Sequence, residues 1–132
     1  MKQLKLGVIG IDHRHIFGQL AKMQALGCEC KGWWTEGEPE PTEGFLKRFP
    51  DVPRVADMQD LLDDPEIDMI LIADIPVRRA ARAIAAMRAG KDVMTDKPGC
   101  TTLDQLESIK ACVKETGRIW SIDFSERFEV PA

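Results

Sequence analysis

The chain has 132 residues, which is enough for one domain with a sizeable buried core. Its net charge of −4 and its 30% of charged residues exclude the basic surface expected of a nucleic-acid-binding protein. The longest apolar run, residues 69–73, is too short to span a bilayer, and the N-terminus has no apolar core of a signal peptide. We therefore expect a cytoplasmic protein that binds neither nucleic acid nor membranes.

Short apolar runs and segments with helical spacing alternate along the chain. Asp57 has the position of a helix N-cap, Thr102 and Gln105 have the spacing of a capping box, and Gly27 follows the last apolar residue of the first helix. The predicted helical segments are 16–26, 41–50, 57–64, 77–89 and 102–116. The predicted strands are 4–9, 29–34, 54–56, 67–73, 92–95 and 118–124.

This alternation predicts an α/β fold, a doubly wound parallel sheet of six strands in the order 3-2-1-4-5-6 with helices on both faces. Ligands of such sheets bind at the carboxyl ends of the strands. The loops at that edge are 10–14, 35–38, 73–76, 95–100 and 124–127, and we expect the functional residues there.

The cysteines lie at positions 28, 30, 100 and 112. Cys28 and Cys30 lie two apart on a predicted strand, so their side chains share a face, an arrangement that suits neither a mutual disulfide nor a shared metal site. We expect reduced thiols.

The first loop has the frame of the G-x-G-x-x-G fingerprint, which seats a dinucleotide phosphate at a helix N-terminus. Gly10 has the position of the first glycine, while Asp12 and His15 replace the second and third. Asp12 is placed to cap the helix by accepting from the N–H of Arg14 or His15. Two interpretations stay open: the helix caps itself and binds cofactor weakly or not at all, or the cofactor is displaced toward the N–H or side chain of His13.

Four motifs resemble those of one family. They are Val-Ile-Gly at 8–10, the apolar strand at 67–73, Ala-Gly-Lys-Asp-Val at 89–93 after an alanine-rich helix, and Asp-Lys-Pro at 96–98. Together they resemble the N-terminal domain of the Gfo/Idh/MocA oxidoreductases over nearly the whole chain. The resemblance implies a Rossmann domain that binds NAD or NADP, in an enzyme that transfers hydride to or from a sugar-like or polyol hydroxyl of a small-molecule substrate.

The resemblance also implies roles for individual residues. Lys97 corresponds to the lysine that contacts the reacting hydroxyl and is the expected catalytic residue. Glu36 follows the second strand, where an acid commonly binds the adenosine ribose, and slightly favours NAD over NADP. The full set of expected cofactor-binding residues is Gly10, Ile11, Asp12, His13, Thr35, Glu36, Ala73, Asp74, Asp96 and Lys97.

The remaining expectations concern what else the protein contains. No metal site is expected, because Asp12, His13 and His15 do not converge well at a helix start and no further ligand is evident. Arg78, Arg79, Arg82 and Arg88 are expected to form a solvated helix face. Residues 1–124 are expected to form the cofactor domain and 125–132 to begin a linker to a substrate domain outside this chain. The chain alone is then expected to be inactive, and the full-length form to be capable of forming a homo-oligomer. The alternative is a stand-alone Rossmann-like module that binds a nucleotide, CoA or a protein without catalysis.

Overall fold

The structure, a computed structural model, describes residues 3–123. Five strands and five helices alternate in it, with two short helices between the second and third strands. In chain order they are β1 Lys5–Ile9, α1 His15–Ala25, β2 Glu29–Trp34, α2 Thr42–Arg48, α3 Met58–Leu62, β3 Met69–Ile72, α4 Pro76–Arg88, β4 Asp92–Asp96, α5 Leu103–Thr116 and β5 Trp120–Asp123.

The strands form one parallel sheet in the order β2-β1-β3-β4-β5. The prediction of an α/β parallel sheet is confirmed, but the prediction of six strands is wrong. The expected third strand at 54–56 is only an isolated parallel bridge between Arg54 and Trp33. Pro53 has no N–H to extend the pairing, and Asp57 already caps α3, so too few residues remain for a strand. Without that strand the predicted order equals the observed one.

Helices cover both faces of the sheet, as the sequence predicts. On β3, Ile70 and Ile72 belong to a buried cluster with residues of α3, α4 and α5. Leu71, between them, belongs to a second cluster with residues of α1 and α2. Because alternate strand residues point to opposite faces, the two clusters are the cores on the two sides of the sheet. The apolar character of the strands follows from this double burial.

Two of the predicted helix caps are confirmed. Asp57 accepts a hydrogen bond from Gln59 N at 2.9 Å, and Thr102 Oγ1 accepts one from Gln105 N at 3.1 Å. The reciprocal contact of the capping box differs from the prediction, because Gln105 Oε1 accepts from Thr101 N and not from Thr102 N. The four cysteines are free thiols, and within residues 3–123 no helix is long and apolar enough to cross a membrane.

Candidate functional site

Backbone hydrogen bonds hold the loops at the carboxyl ends of the strands together. Gly10 N–H donates to Trp34 O at 2.7 Å, and His13 N–H donates to Ala73 O at 2.8 Å. Ile11 N–H donates to the hydroxyl of buried Thr35 at 3.2 Å. The three loops after β1, β2 and β3 therefore form one connected surface, as predicted. The expected fifth loop, 124–127, lies outside the described residues.

Gly10 is required for packing within the protein. Its φ is +84°, and a Cβ there would lie 2.1 Å from the Cβ of Asp74. Asp74 therefore occupies the space beside Gly10, where a glycine of the fingerprint would let a pyrophosphate approach. The glycine thus permits close approach of the β1–α1 and β3–α4 loops.

Asp12 does not cap α1. The helix begins at His15, Arg14 occupies the N-cap position, and no side chain makes a cap hydrogen bond. Asp12 Oδ1 is instead buried without a hydrogen-bond partner, and burial raises the pKa of this carboxyl above its ordinary value. The predicted self-capping helix is therefore wrong. One interpretation has the His13 N–H bind the cofactor. In the structure this N–H donates to Ala73 O instead.

Two arginines of α4, Arg79 and Arg82, differ from the predicted solvated face, whereas Arg88 is exposed as predicted. Arg79 is fully buried, and its Nε donates to Asp74 O at 2.8 Å. Its Nη1 donates to the carbonyls of Asp96 and Pro98, each at 2.9 Å. Burial lowers the pKa of this guanidinium. Arg79 therefore joins the β3–α4 loop to the β4–α5 loop, a role that helical spacing alone did not indicate.

Arg82 lies at the edge of the same surface and contacts two acids. Its Nε donates to Asp74 Oδ2 at 3.1 Å, and its Nη2 pairs with Glu36 Oε1 at 3.1 Å. Arg78 also pairs with Glu36, and the guanidinium of Arg82 lies 5.1 Å from the ring centre of Trp34. Burial raises the pKa of Asp74 despite the Arg82 contact. Glu36 is thus placed at the end of β2 as expected, but it is held by two arginines that the sequence analysis left out of the site.

Asp96 and Lys97 end β4 at the same edge. Asp96 is 2% exposed, and its Oδ1 accepts from Lys97 N at 2.9 Å, while the Lys97 side chain is exposed. The Lys97–Pro98 peptide bond is cis. Lys97 therefore presents its ammonium group to solvent beside a buried acid.

Both histidines of the chain meet Asp96. His15 Nδ1 lies 3.0 Å from Asp96 Oδ1, and His13 Nδ1 lies 3.1 Å from Asp96 Oδ2. The two imidazole rings are 4.2 Å apart. The expectation that the histidines have no further converging ligand is wrong, because Asp96 lies beside both of them. Asp96 comes from β4, two strands away from β1 in the sheet, so the residues of the first loop give no sign of it.

An open depression of about 540 Å³ lies at the opposite, amino end of the strands, between Leu4, Ile67 and Lys91. We place the candidate site at the carboxyl end, because the unpaired buried carboxylate oxygens and the exposed lysine are there.

The residues at the carboxyl edge fit a dinucleotide in part. Asp12 Oδ1 and Asp74 Oδ1 are buried acceptors without donors, and ribose hydroxyls are donors of the required kind. The first turn of α1 carries no acidic residue, so its N-terminus stays favourable for an anion. The space beside Gly10 does not fit a phosphate, because Asp74 fills it.

Comparison with known proteins shows the family to which the chain belongs. Residues 5–124 match the profile of GFO_IDH_MocA, described as an oxidoreductase family with an NAD-binding Rossmann fold. The chain is 26% identical over 88 residues to scyllo-inositol 2-dehydrogenase (NADP(+)) IolW of Bacillus subtilis, covering 67% of this chain and 25% of that protein. It is 32% identical over 73 residues to scyllo-inositol 2-dehydrogenase (NAD(+)) of the same organism, covering 55% and 21%.

Among solved structures, the chain is similar to a candidate oxidoreductase from Erwinia carotovora atroseptica. The TM-score is 0.90 at 35% identity, and the match covers 94% of this chain and 37% of that one. The chain thus spans about a quarter of the length of the curated relatives that it matches.

Proposed function

Because the chain belongs to the Gfo/Idh/MocA oxidoreductase family, we propose that it is the cofactor-binding part of an NAD(P)-dependent oxidoreductase acting on a polyol or sugar-like hydroxyl. One observation carries the proposal: an exposed lysine, Lys97, follows the buried Asp96 at the carboxyl end of β4, beside the β1–α1 loop. Two inositol dehydrogenases among the relatives support the substrate class.

Three groups of residues would hold the cofactor. Asp12 and Asp74 offer unpaired carboxylate oxygens to ribose hydroxyls, and the N-terminus of α1 favours the phosphates. Thr35 and Ala73 fix the positions of the loop amides at Ile11 and His13 through their hydrogen bonds. The nicotinamide supplies the hydride acceptor or donor.

Lys97 acts on the substrate hydroxyl in this proposal. In reduction its ammonium would donate a hydrogen bond and then a proton to the substrate oxygen, and in oxidation its neutral amine would accept the proton of the hydroxyl. No side chain in residues 3–123 forms an ion pair with that ammonium, so it is available to the substrate. Asp96 orients the lysine, because its Oδ1 accepts from the backbone N–H of Lys97.

We further propose a preference for NAD over NADP. Glu36 is half exposed at the end of β2, and its carboxylate would accept from the 2′-hydroxyl of NAD and repel the 2′-phosphate of NADP. Arg78 and Arg82 hold Glu36 in place and reduce that repulsion. Glu36→Ala should therefore shift the ratio of NADPH to NADH affinity toward NADPH, because Arg78 and the Nη2 of Arg82 would then be free to bind the phosphate.

Titration of the purified chain with NADH and NADPH tests the cofactor proposal. We expect saturable binding of NADH that weakens in Asp74→Asn, with Asp104→Asn on the exposed start of α5 as the matched control. Absence of binding of either nucleotide at millimolar concentration would refute the proposal. In a longer form that carries a substrate domain, Lys97→Ala should lower kcat by at least about 100-fold with little change in NADH affinity.

A second function, a binding module without catalysis, is favoured by one observation. Asp74 fills the space beside Gly10 through which a pyrophosphate would approach. Absence of oxidoreductase turnover in a longer form that carries a substrate domain would favour this second function. We also propose that residues 125–132 lead into the substrate domain, where a homo-oligomer interface would lie.

A further inference from the structure

We propose that His13, His15 and Asp96 form a binding site for a divalent first-row transition-metal ion such as Zn²⁺. One ligand atom from each residue lies within 4.8 Å of the others. Two imidazole nitrogens and a carboxylate are the donor set that zinc, cobalt and ferrous ions take in sites that leave coordination positions open. The proposal does not depend on the nature of the substrate or of the nucleotide.

The distances suit an ion of this size. Metal–nitrogen and metal–oxygen bonds of about 2.1 Å separate tetrahedral ligand atoms by about 3.4 Å. The two nitrogen–oxygen separations are 3.0 Å for His15 and 3.1 Å for His13. The two separations involve different oxygens of Asp96, so an ion at this site would take both carboxylate oxygens or draw together three ligand atoms that already lie within 4.8 Å of one another.

The contacts of His13 give an independent reason. Its Nδ1 accepts a hydrogen bond from His15 N at 3.3 Å, which requires a lone pair on that nitrogen. The same Nδ1 lies 3.1 Å from Asp96 Oδ2, which also carries only lone pairs and has no hydrogen-bond partner. A single ring nitrogen cannot accept a hydrogen bond from His15 N and donate one to Asp96 at the same time. A cation between His13 Nδ1 and Asp96 Oδ2 would attract both lone pairs and so remove their mutual repulsion. The His13 Nδ1 lone pair would then bind the ion, and the 3.3 Å hydrogen bond from His15 N would be lost.

Burial and access also fit an ion site. Asp96 is 2% exposed, so its charge is poorly hydrated and benefits strongly from a cation. Arg79 Nη2 lies 3.8 Å from Asp96 Oδ2 and makes no hydrogen bond, while Arg79 Nε and Nη1 donate to carbonyls. Both histidine side chains are nearly half exposed, which leaves a path from solvent.

The experiment is a titration of the untagged chain with Zn²⁺ by calorimetry and with Co²⁺ by visible absorption. The chain has only two histidines, so histidine-dependent binding reports this cluster alone. We expect one ion per chain and the visible bands of nitrogen- and oxygen-ligated Co²⁺. His13→Gln and His15→Gln should each weaken binding by about 100-fold or more, beyond the effect of losing an outer-shell partner.

Two variants serve as controls. Cys28→Ser and Cys100→Ser remove the partly exposed thiols, and neither should alter the affinity. Because both histidines are exposed at the loop surface, their glutamine variants should fold, which circular dichroism verifies. Binding that survives both histidine substitutions, binding that disappears with a cysteine, or no binding at millimolar ion would each overturn the proposal.

Discussion

Replacing Arg79 with methionine should destabilise the chain strongly, although the substitution keeps the length and apolar stem of the side chain. The variant loses three hydrogen bonds from the guanidinium to the carbonyls of Asp74, Asp96 and Pro98. Hydrogen bonds from a charged donor contribute about 1.5–3 kcal/mol each. The variant also no longer has the desolvation cost of a buried guanidinium, which offsets part of that loss. Asp96 also keeps a buried charge without its guanidinium neighbour. We expect a net loss of about 3–5 kcal/mol in the free energy of unfolding.

Urea unfolding followed by tryptophan fluorescence measures this loss, since the chain has three tryptophans. At an m-value of about 2 kcal/mol/M, the midpoint of Arg79→Met should fall by about 2 M. Arg88→Met, on the exposed side of the same helix, is the matched control and should change stability by less than about 0.5 kcal/mol. Equal urea midpoints for the two variants would mean that the hydrogen bonds of Arg79 only balance the desolvation cost of its buried guanidinium. That result would contradict the stabilising role given to Arg79.

Three further predictions concern other buried groups. Gly10→Ala should cost about 1–3 kcal/mol more than Gly27→Ala, because both have positive φ but only the former meets Asp74; thermal unfolding compares them. Burial raises the pKa of Asp12 above 3.8, so the folded state retains a proton that the unfolded state releases, and this contribution to stability falls as pH rises. The stability advantage of Asp12→Asn over the parent should therefore grow from about pH 4 to about pH 7, and an advantage independent of pH would contradict the assignment. Burial raises the pKa of Cys30 from 9.0 to about 11, so its alkylation at mildly alkaline pH should be about 100-fold slower than that of an ordinary thiol, as peptide mapping would show.

The parts of the fold that the sequence predicted are those with strong local signals. The strand at Met69–Ile72 is apolar on both faces, and Asp57 and Thr102 are caps whose partners lie two or three residues away. The prediction of a strand at 54–56 was wrong, because the sequence around an isolated bridge beside Pro53 has the same local pattern as that of a short strand. Whether such a segment pairs over several residues depends on the strand beside it in space, and the pattern of the sequence does not show which strand that is.

The candidate site was predictable as a set of loops but not as a set of contacts. Glu36, Asp74 and Lys97 were placed correctly at the carboxyl edge by the order of the strands. The partners of these residues come from α4, where Arg79 and Arg82 have the spacing of an ordinary solvated helix. The convergence of His13 on Asp96 joins residues 83 positions apart (96 minus 13) and depends on side-chain directions, which spacing along the chain does not contain.

The most direct test of the central claim is to map NADH binding on the ¹⁵N-labelled chain by amide chemical shifts. We expect saturable changes of amide chemical shift at the carboxyl edge of the sheet, at Ile11, Thr35 and Lys97. Amides around Lys91, in the depression at the amino edge, should not shift. Shifts confined to that amino edge, or no shifts at millimolar NADH, would contradict the assignment of this chain as a cofactor-binding domain.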